Sequence, residues 1–219
     1  MKFEGIIFDL DGTLVDSEPL HGKAWLDVLA QQGLHFEWKW FEQWIGSSDR
    51  FLAEHVIANH QVELTVPQLQ TLKREAYYAL VAKDLQLFPG VMEALEFFTK
   101  ILPVGLATSS SATDVEAVFK AQPIAHLFHT IVHADHVMPN LKPKPDPYLL
   151  ATRNLSVKPQ RAVALEDSVA GVKASKAAGL YTLGVANTHA ADELKEADMV
   201  FSSTNEAMIW IKTRISTGK

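Results

Sequence analysis

The chain has 219 residues, 47% of them hydrophobic, which is enough to bury a core with room for a small second domain. Its formal net charge of -6 provides no excess of Lys and Arg for a broad nucleic-acid or anionic-membrane surface. There is no cysteine, so disulfides, thiolate metal sites and cysteine nucleophiles are excluded.

In chain order, Ile6-Ile7-Phe8 is a short apolar run with the character of a buried parallel strand, and it ends in Asp9-Leu10-Asp11-Gly12-Thr13-Leu14. After Leu14 the pattern turns helical for about seventy residues. Leu20, Ala24, Trp25, Val28 and Leu29 recur at helical spacing, with Asp16 or Ser17 to cap and Gly33 to terminate. Residues 38–45, 50–59 and 67–81 give three more helical stretches, the last opened by Thr65 and Pro67. Phe88-Pro89-Gly90 is a turn signal that closes this block. These patterns predict a helical domain at 16–88 inserted into a core made of 1–15 and 89–219. From Pro89 onward the spacing predicts helices over 91–100, 113–121, 147–154, 171–178 and from 205 to the tail. Strands are predicted over 104–108, 130–132, 162–165, 182–185 and 199–201. That alternation implies an α/β fold with a doubly wound, Rossmann-like parallel sheet, and the last few residues read as a disordered tail.

No apolar run approaches the ~20 residues that span a bilayer. The start of the sequence shows no charged leader followed by an apolar stretch, so the cytoplasm is the expected compartment. Asn154-Leu155-Ser156 matches a glycosylation sequon and is read as coincidental.

An Asp-x-Asp pair often lies in a solvated turn. Here it closes a run without other charges, at the end of a strand where open α/β sheets hold their ligands, which favours a site. Asp9-Leu10-Asp11-Gly12-Thr13-Leu14-Val15-Asp16-Ser17 resembles the first signature of the haloacid dehalogenase superfamily, in its phosphatase and β-phosphoglucomutase-like branch with a helical cap. Thr108-Ser109-Ser110-Ser111 matches the second signature and Lys142-Pro143-Lys144-Pro145-Asp146 resembles the third. With Glu166-Asp167 closing a later apolar strand, the resemblance extends over essentially the whole chain.

The resemblance implies a Mg²⁺-dependent phosphomonoester hydrolase that works through an aspartyl phosphate. Asp9 is the expected nucleophile and Asp11 the general acid and base. A carboxylate repels a phosphate dianion, so a cation is needed. Hard oxygen ligands from Asp9, the backbone carbonyl of Asp11, and Asp167 with or without Glu166 suit Mg²⁺. Asp167-Ser168 also reads as a helix cap. Thr108 and Ser109 are assigned to the phosphate through a hydroxyl and N–H groups, although Ser and Thr runs also make capping turns. Lys142, chosen over Lys144 by motif register, would offset charge at the phosphoryl group, with Pro143 and Pro145 stiffening its backbone.

In the helical insert, His21, Lys23 and Trp25 form a run similar to those of sugar phosphatases and β-phosphoglucomutase. His21 and Trp25 share a helix face and read equally as pocket lining or core. Gly46-Ser47-Ser48-Asp49-Arg50 resembles a cap loop, with Arg50 able to fork onto a sugar or a second phosphate. His126, His129, His133 and His136, with Asp135, would suggest zinc on a helix, but 128–132 reads as a strand and no zinc site is expected. The expected partner is a small phosphorylated metabolite, best a sugar phosphate, taken under a lid that excludes water. Neither nucleic acid nor membrane is expected, and a monomer is the expected state, with a dimer as the alternative. Two alternatives stand beside the hydrolase. One is a phosphomutase with the same core, in which a substrate hydroxyl receives the phosphoryl group. The other is a non-catalytic phosphoacceptor or binding protein, against which Asp11 and the large insert argue. A dinucleotide-dependent oxidoreductase would need Gly-x-Gly-x-x-Gly after the first strand.

Overall fold

The computed structural model describes residues 2–216, so the tail expected to be disordered lies largely outside the described residues. The chain divides into two compact units, Met1–Asp16 with Gln86–Lys219, and Ser17–Leu85.

The first unit is built on six parallel strands: β1 (Gly5–Phe8), β2 (Val104–Ala107), β3 (Thr130–Val132), β4 (Ala162–Glu166), β5 (Tyr181–Val185) and β6 (Met199–Phe201). Their order across the sheet is β3-β2-β1-β4-β5-β6. Ile6, Ile7 and Phe8 are fully buried, as expected of a central strand covered by helices on both faces. The order reverses at β1: β2 and β3 lie to one side and β4 to β6 to the other, which opens a crevice at the C-terminal strand ends. Register then fixes what meets there. Phe8 pairs with Leu106 on one side and Leu165 on the other, so Asp9, the residues around Thr108 and the Glu166-Asp167 pair emerge at one level.

The helices of this unit are α5 (Val91–Phe98), α6 (Ala112–Ala121), α7 (Asp146–Asn154), α8 (Val169–Ala177) and α9 (Thr204–Ser216). Small side chains let α7 and α8 approach the sheet closely. Ala107, Ala162 and Ala164 from the strands meet Ala151, Ala174 and Ala178 in one buried cluster, with Tyr148 as its largest member. Burial of this kind contributes roughly 25 cal/mol per Å² of apolar surface.

The second unit is helical: α1 (Glu18–Gln31), α2 (Trp38–Phe41), α3 (Asp49–Asn59) and α4 (Val66–Asp84). The stretch expected to be one helix to residue 45 tightens into a 3-10 turn at Glu42–Trp44, before Gly46 takes a positive φ of 77°. Ser48 caps α3 by accepting from the Phe51 N–H at 3.2 Å, and Thr65 with Gln68 forms a capping box on α4. Trp25, Leu29, Phe41, Trp44, Leu52, Val56 and Leu69 form its core. α1 and α4 pack along one another.

Candidate active site

Asp9 follows β1 directly, and its N–H continues the ladder to Leu165 O at 3.0 Å, so the backbone fixes where its carboxylate emerges. Asp9, Glu166 and Asp167 are all buried, and a ligand oxygen from each lies within 4.8 Å of the others. Among the described residues this is the one cluster of metal-ligating side chains with that geometry. Lys142 places its Nζ 2.5 Å from Asp9 Oδ1 and 2.5 Å from Glu166 Oε1, with its side chain 5% exposed.

Glu166 is saturated with donors. Besides Lys142, its Oε1 accepts from Tyr148 Oη at 2.5 Å, and its Oε2 accepts from Ser168 Oγ at 3.1 Å and the Ser168 N–H at 3.4 Å. The first turn of α8 makes room for this carboxyl through Gly171, where a Cβ would stand 1.9 Å from Glu166 Cδ. Glu166 therefore anchors the lysine, and Tyr148 and Ser168 anchor Glu166.

Three buried carboxylates face one ammonium. Burial raises the Asp9 carboxyl well above the usual range; Lys142 opposes this, and the charges of Glu166 and Asp167 add to it. Burial, then the charge of Glu166, pushes Asp167 up to about 7, against hydrogen bonds from Thr188 and Thr13 that favour its ionised form. Burial would lower Lys142, but the carboxylates of Asp9 and Glu166 outweigh it and raise its pKa. Tyr148 is raised by burial and then by the charge of Glu166, which keeps it a neutral donor. Unpaired negative charge in a buried set of hard oxygen donors fits a divalent cation such as Mg²⁺.

Asp11 is half-buried, and its Oδ2 accepts from Ser110 Oγ at 2.6 Å. Thr108 is buried at the end of β2; its N–H donates to Val132 O at 2.9 Å and its hydroxyl accepts from the Ser110 N–H at 3.0 Å. Ser109 between them is exposed. Ser111 caps α6 by accepting from the Asp114 N–H at 3.3 Å, so both readings of the serine run hold together. Lys144 is exposed and donates to Asn140 Oδ1 at 2.9 Å.

The helical unit has a polar cluster of its own. Trp25 is buried in the core and donates from Nε1 to Asp49 Oδ1 at 2.9 Å. Lys73, 1% exposed in the middle of α4, lies 2.7 Å from Asp49 Oδ2 and 2.7 Å from His21 Nδ1. His21 stacks on Tyr77 with ring centroids 4.0 Å apart. Thus His21 and Trp25 do come together, through Asp49 of the expected cap loop and through Lys73, which carries no motif. Lys23 is exposed, 4.0 Å from Asp84, and Arg50 is exposed, donating to Glu54 at 2.7 Å.

The histidines do not line a helix face: His126 lies in a 3-10 turn, His129 precedes β3 and His133 follows it. His133 and His136 instead lie against one another as a tilted ring pair, with centroids 3.6 Å apart and planes 33° from parallel. Tyr148 and Thr188, which carry no motif, join Ser110 of the serine run and Ser168 of the expected helix cap as four hydroxyls that hold the site's carboxylates.

Comparison with known proteins bears on this arrangement. The family model for haloacid dehalogenase-like hydrolases matches residues 6–185. The chain is 32% identical to the fructose-1-phosphate phosphatase YqaB of Escherichia coli (strain K12), over 84% of this chain and 97% of that protein. It resembles the crystal structure of CbbY from Rhodobacter sphaeroides in complex with phosphate, with TM-score 0.79 and 30% identity over 93% of this chain and 96% of the other. It also resembles β-phosphoglucomutase from Clostridium difficile, with TM-score 0.74 and 26% identity over 98% of each chain.

Proposed function

Because the chain belongs to the haloacid dehalogenase-like hydrolases, we propose that it is a Mg²⁺-dependent phosphomonoester hydrolase acting on a small sugar phosphate. The observation that carries the reading is the buried set of Asp9, Glu166 and Asp167 around Lys142 at the strand ends. Asp9 attacks the phosphoryl group through a carboxylate oxygen, and the bond from phosphorus to the substrate oxygen breaks. Asp11 gives its proton to that leaving oxygen, then takes one from the water that cleaves the aspartyl phosphate and restores Asp9. The Thr108 hydroxyl and the N–H groups around Ser109 orient the phosphate oxygens, and Lys142 offsets their charge.

Asp9, Asp167 and the backbone carbonyl of Asp11 would hold Mg²⁺. When bound, the ion neutralises charge on the phosphate and lets an anionic nucleophile approach. Glu166 is assigned to the lysine and not to the metal, since four donors already occupy its oxygens. The helical unit, residues 17–85, is assigned to substrate selection through His21, Trp25, Asp49 and Lys73, with Lys23 and Arg50 as exposed cations. Among the described residues no helix is long and apolar enough to cross a membrane.

The sugar phosphate is inferred from YqaB, named as a fructose-1-phosphate phosphatase. The test is phosphate release from a panel of sugar phosphates and other small phosphoesters, with Mg²⁺ or EDTA, for wild type and Asp9→Asn. Release that needs both Mg²⁺ and Asp9, with Asp9→Asn reduced more than ~10³-fold, is expected. Folded wild type that releases no phosphate from any member would refute the hydrolase. Isomerisation of glucose 1-phosphate with a bisphosphate activator would then identify a mutase.

A further inference from the structure

The turn after β5, Asn187-Thr188-His189, has no role in the chemistry above, yet its side chains close around the loop that carries Asp9 and Asp11. Sheet register explains why. β5 lies beside β4 with Gly184 opposite Glu166, so the chain leaving β5 passes next to Asp167. There the Thr188 hydroxyl donates to Asp167 Oδ2, while the Thr13 hydroxyl donates to Oδ1 at 3.0 Å. Asn187 Nδ2 donates to Gly12 O at 2.7 Å and to Thr204 Oγ1 at 2.8 Å, and the Thr204 hydroxyl donates to Thr13 O at 2.7 Å. Gly12, with φ +73°, packs against this arrangement so closely that a Cβ would stand 2.0 Å from Asp167 Oδ2 and 2.9 Å from Thr188 Cγ2.

Each Asp167 oxygen thus accepts one hydroxyl from a different loop, which fixes the carboxylate plane. A threonine hydroxyl has one hydrogen, and here it goes to Asp167 Oδ2. The 3.0 Å contact between Thr188 Oγ1 and His189 Nδ1 therefore needs the ring to donate, giving a chain from His189 Nδ1–H through Thr188 to Asp167.

We infer that Thr188 is a positioning residue for the divalent-cation site, holding the Asp167 carboxylate so that its remaining lone pairs face Asp9. The inference rests on the proposed function in taking Asp167 as a Mg²⁺ ligand. Outer hydrogen bonds to a ligating carboxylate typically govern metal affinity by 10–100-fold. A merely structural role would alter stability and leave affinity alone.

The experiment titrates MgCl2 into the full chain by calorimetry for wild type, Thr188→Val and Thr188→Ser, with Mg²⁺ activation curves alongside. Val keeps the shape and removes the hydroxyl, whereas Ser restores it. The Mg²⁺ Kd should rise ~10–100-fold in Thr188→Val and stay within about 3-fold of wild type in Thr188→Ser. At saturating Mg²⁺ the KM for the phosphoester should change little. If Thr188→Val fails to fold, Thr188→Ala carries the same expectation. A folded Thr188→Val or Thr188→Ala that binds Mg²⁺ like wild type, while wild type hydrolyses its substrate, overturns this inference alone. A wild type that binds no Mg²⁺ overturns both this inference and the reading beneath it.

Discussion

Replacing Lys142 with Met keeps most of the aliphatic stem and removes the one cation among three buried carboxylates. In the folded protein its Nζ lies 2.5 Å from both Asp9 and Glu166, with the side chain 5% exposed. Removing one member of a buried ion pair costs ~3–5 kcal/mol, because the remaining charge is left without compensation. Proton uptake softens the loss. Asp167 is pushed up to about 7 by burial and the charge of Glu166, so at pH 5.5 it can take up a proton and neutralise itself, whereas at pH 8 it cannot. In a chain of this size ~3–5 kcal/mol corresponds to a fall in Tm of roughly 6–20 °C. Thermal melts of wild type and Lys142→Met in EDTA at the two pH values read this out. The expected result is a full loss at pH 8 and a clearly smaller one at pH 5.5. Equal melting temperatures at pH 8, or a loss independent of pH, would refute the account of Lys142 as the charge balance of the site.

Tyr148→Phe keeps the ring in the core and removes one donor from Glu166, which should cost ~1.5–3 kcal/mol by urea unfolding; a change under ~0.5 kcal/mol would mean the hydroxyl does not hold Glu166. Gly171→Ala places a Cβ 1.9 Å from the Glu166 carboxyl carbon, so it should abolish phosphatase activity and lower stability despite the better helix propensity of Ala. Metal-free protein should respond to the raised Asp167. An unfolded Asp titrates near 3.9, so across the window up to about 7 the folded state binds more protons and stability falls as pH rises. Mg²⁺ should therefore raise Tm more at pH 8 than at pH 5.5, as differential scanning calorimetry with and without MgCl2 would show.

What could be read in the sequence follows from where the information is local. The apolar run before Asp9 and Asp11 marks a central strand because burial on both faces leaves no polar alternation, and β/α alternation then implies the parallel sheet. Sequence could not give the strand register that brings Glu166 beside Asp9; motif register did separate the loop lysines, and the fold turns Lys142 inward to Asp9 and Glu166 while Lys144 pairs with Asn140. Tyr148 and Gly171 sit on different helices, and their relevance exists only through contact with the Glu166 carboxyl. Thr188 stands in an Asn-Thr-His turn with no motif of its own. Lys73 reads as a solvated helix lysine among Thr71, Arg74 and Glu75, yet packing between α1 and α3 buries it against Asp49, His21, Trp25 and Tyr77. Long-range contacts of this type leave no periodic trace.

The central claim is that Asp9 receives the phosphoryl group. Asp11→Asn removes the base that activates water, while a substrate with a good leaving group, such as p-nitrophenyl phosphate, needs no acid to depart. That variant, incubated with p-nitrophenyl phosphate and Mg²⁺, quenched in acid and mapped by mass spectrometry, should carry one phosphoryl group on the peptide containing Asp9. The double variant Asp9→Asn with Asp11→Asn should carry none. Phosphate on another residue, or active wild type whose Asp11→Asn variant releases phosphate in a burst without ever labelling the Asp9 peptide, would contradict the account.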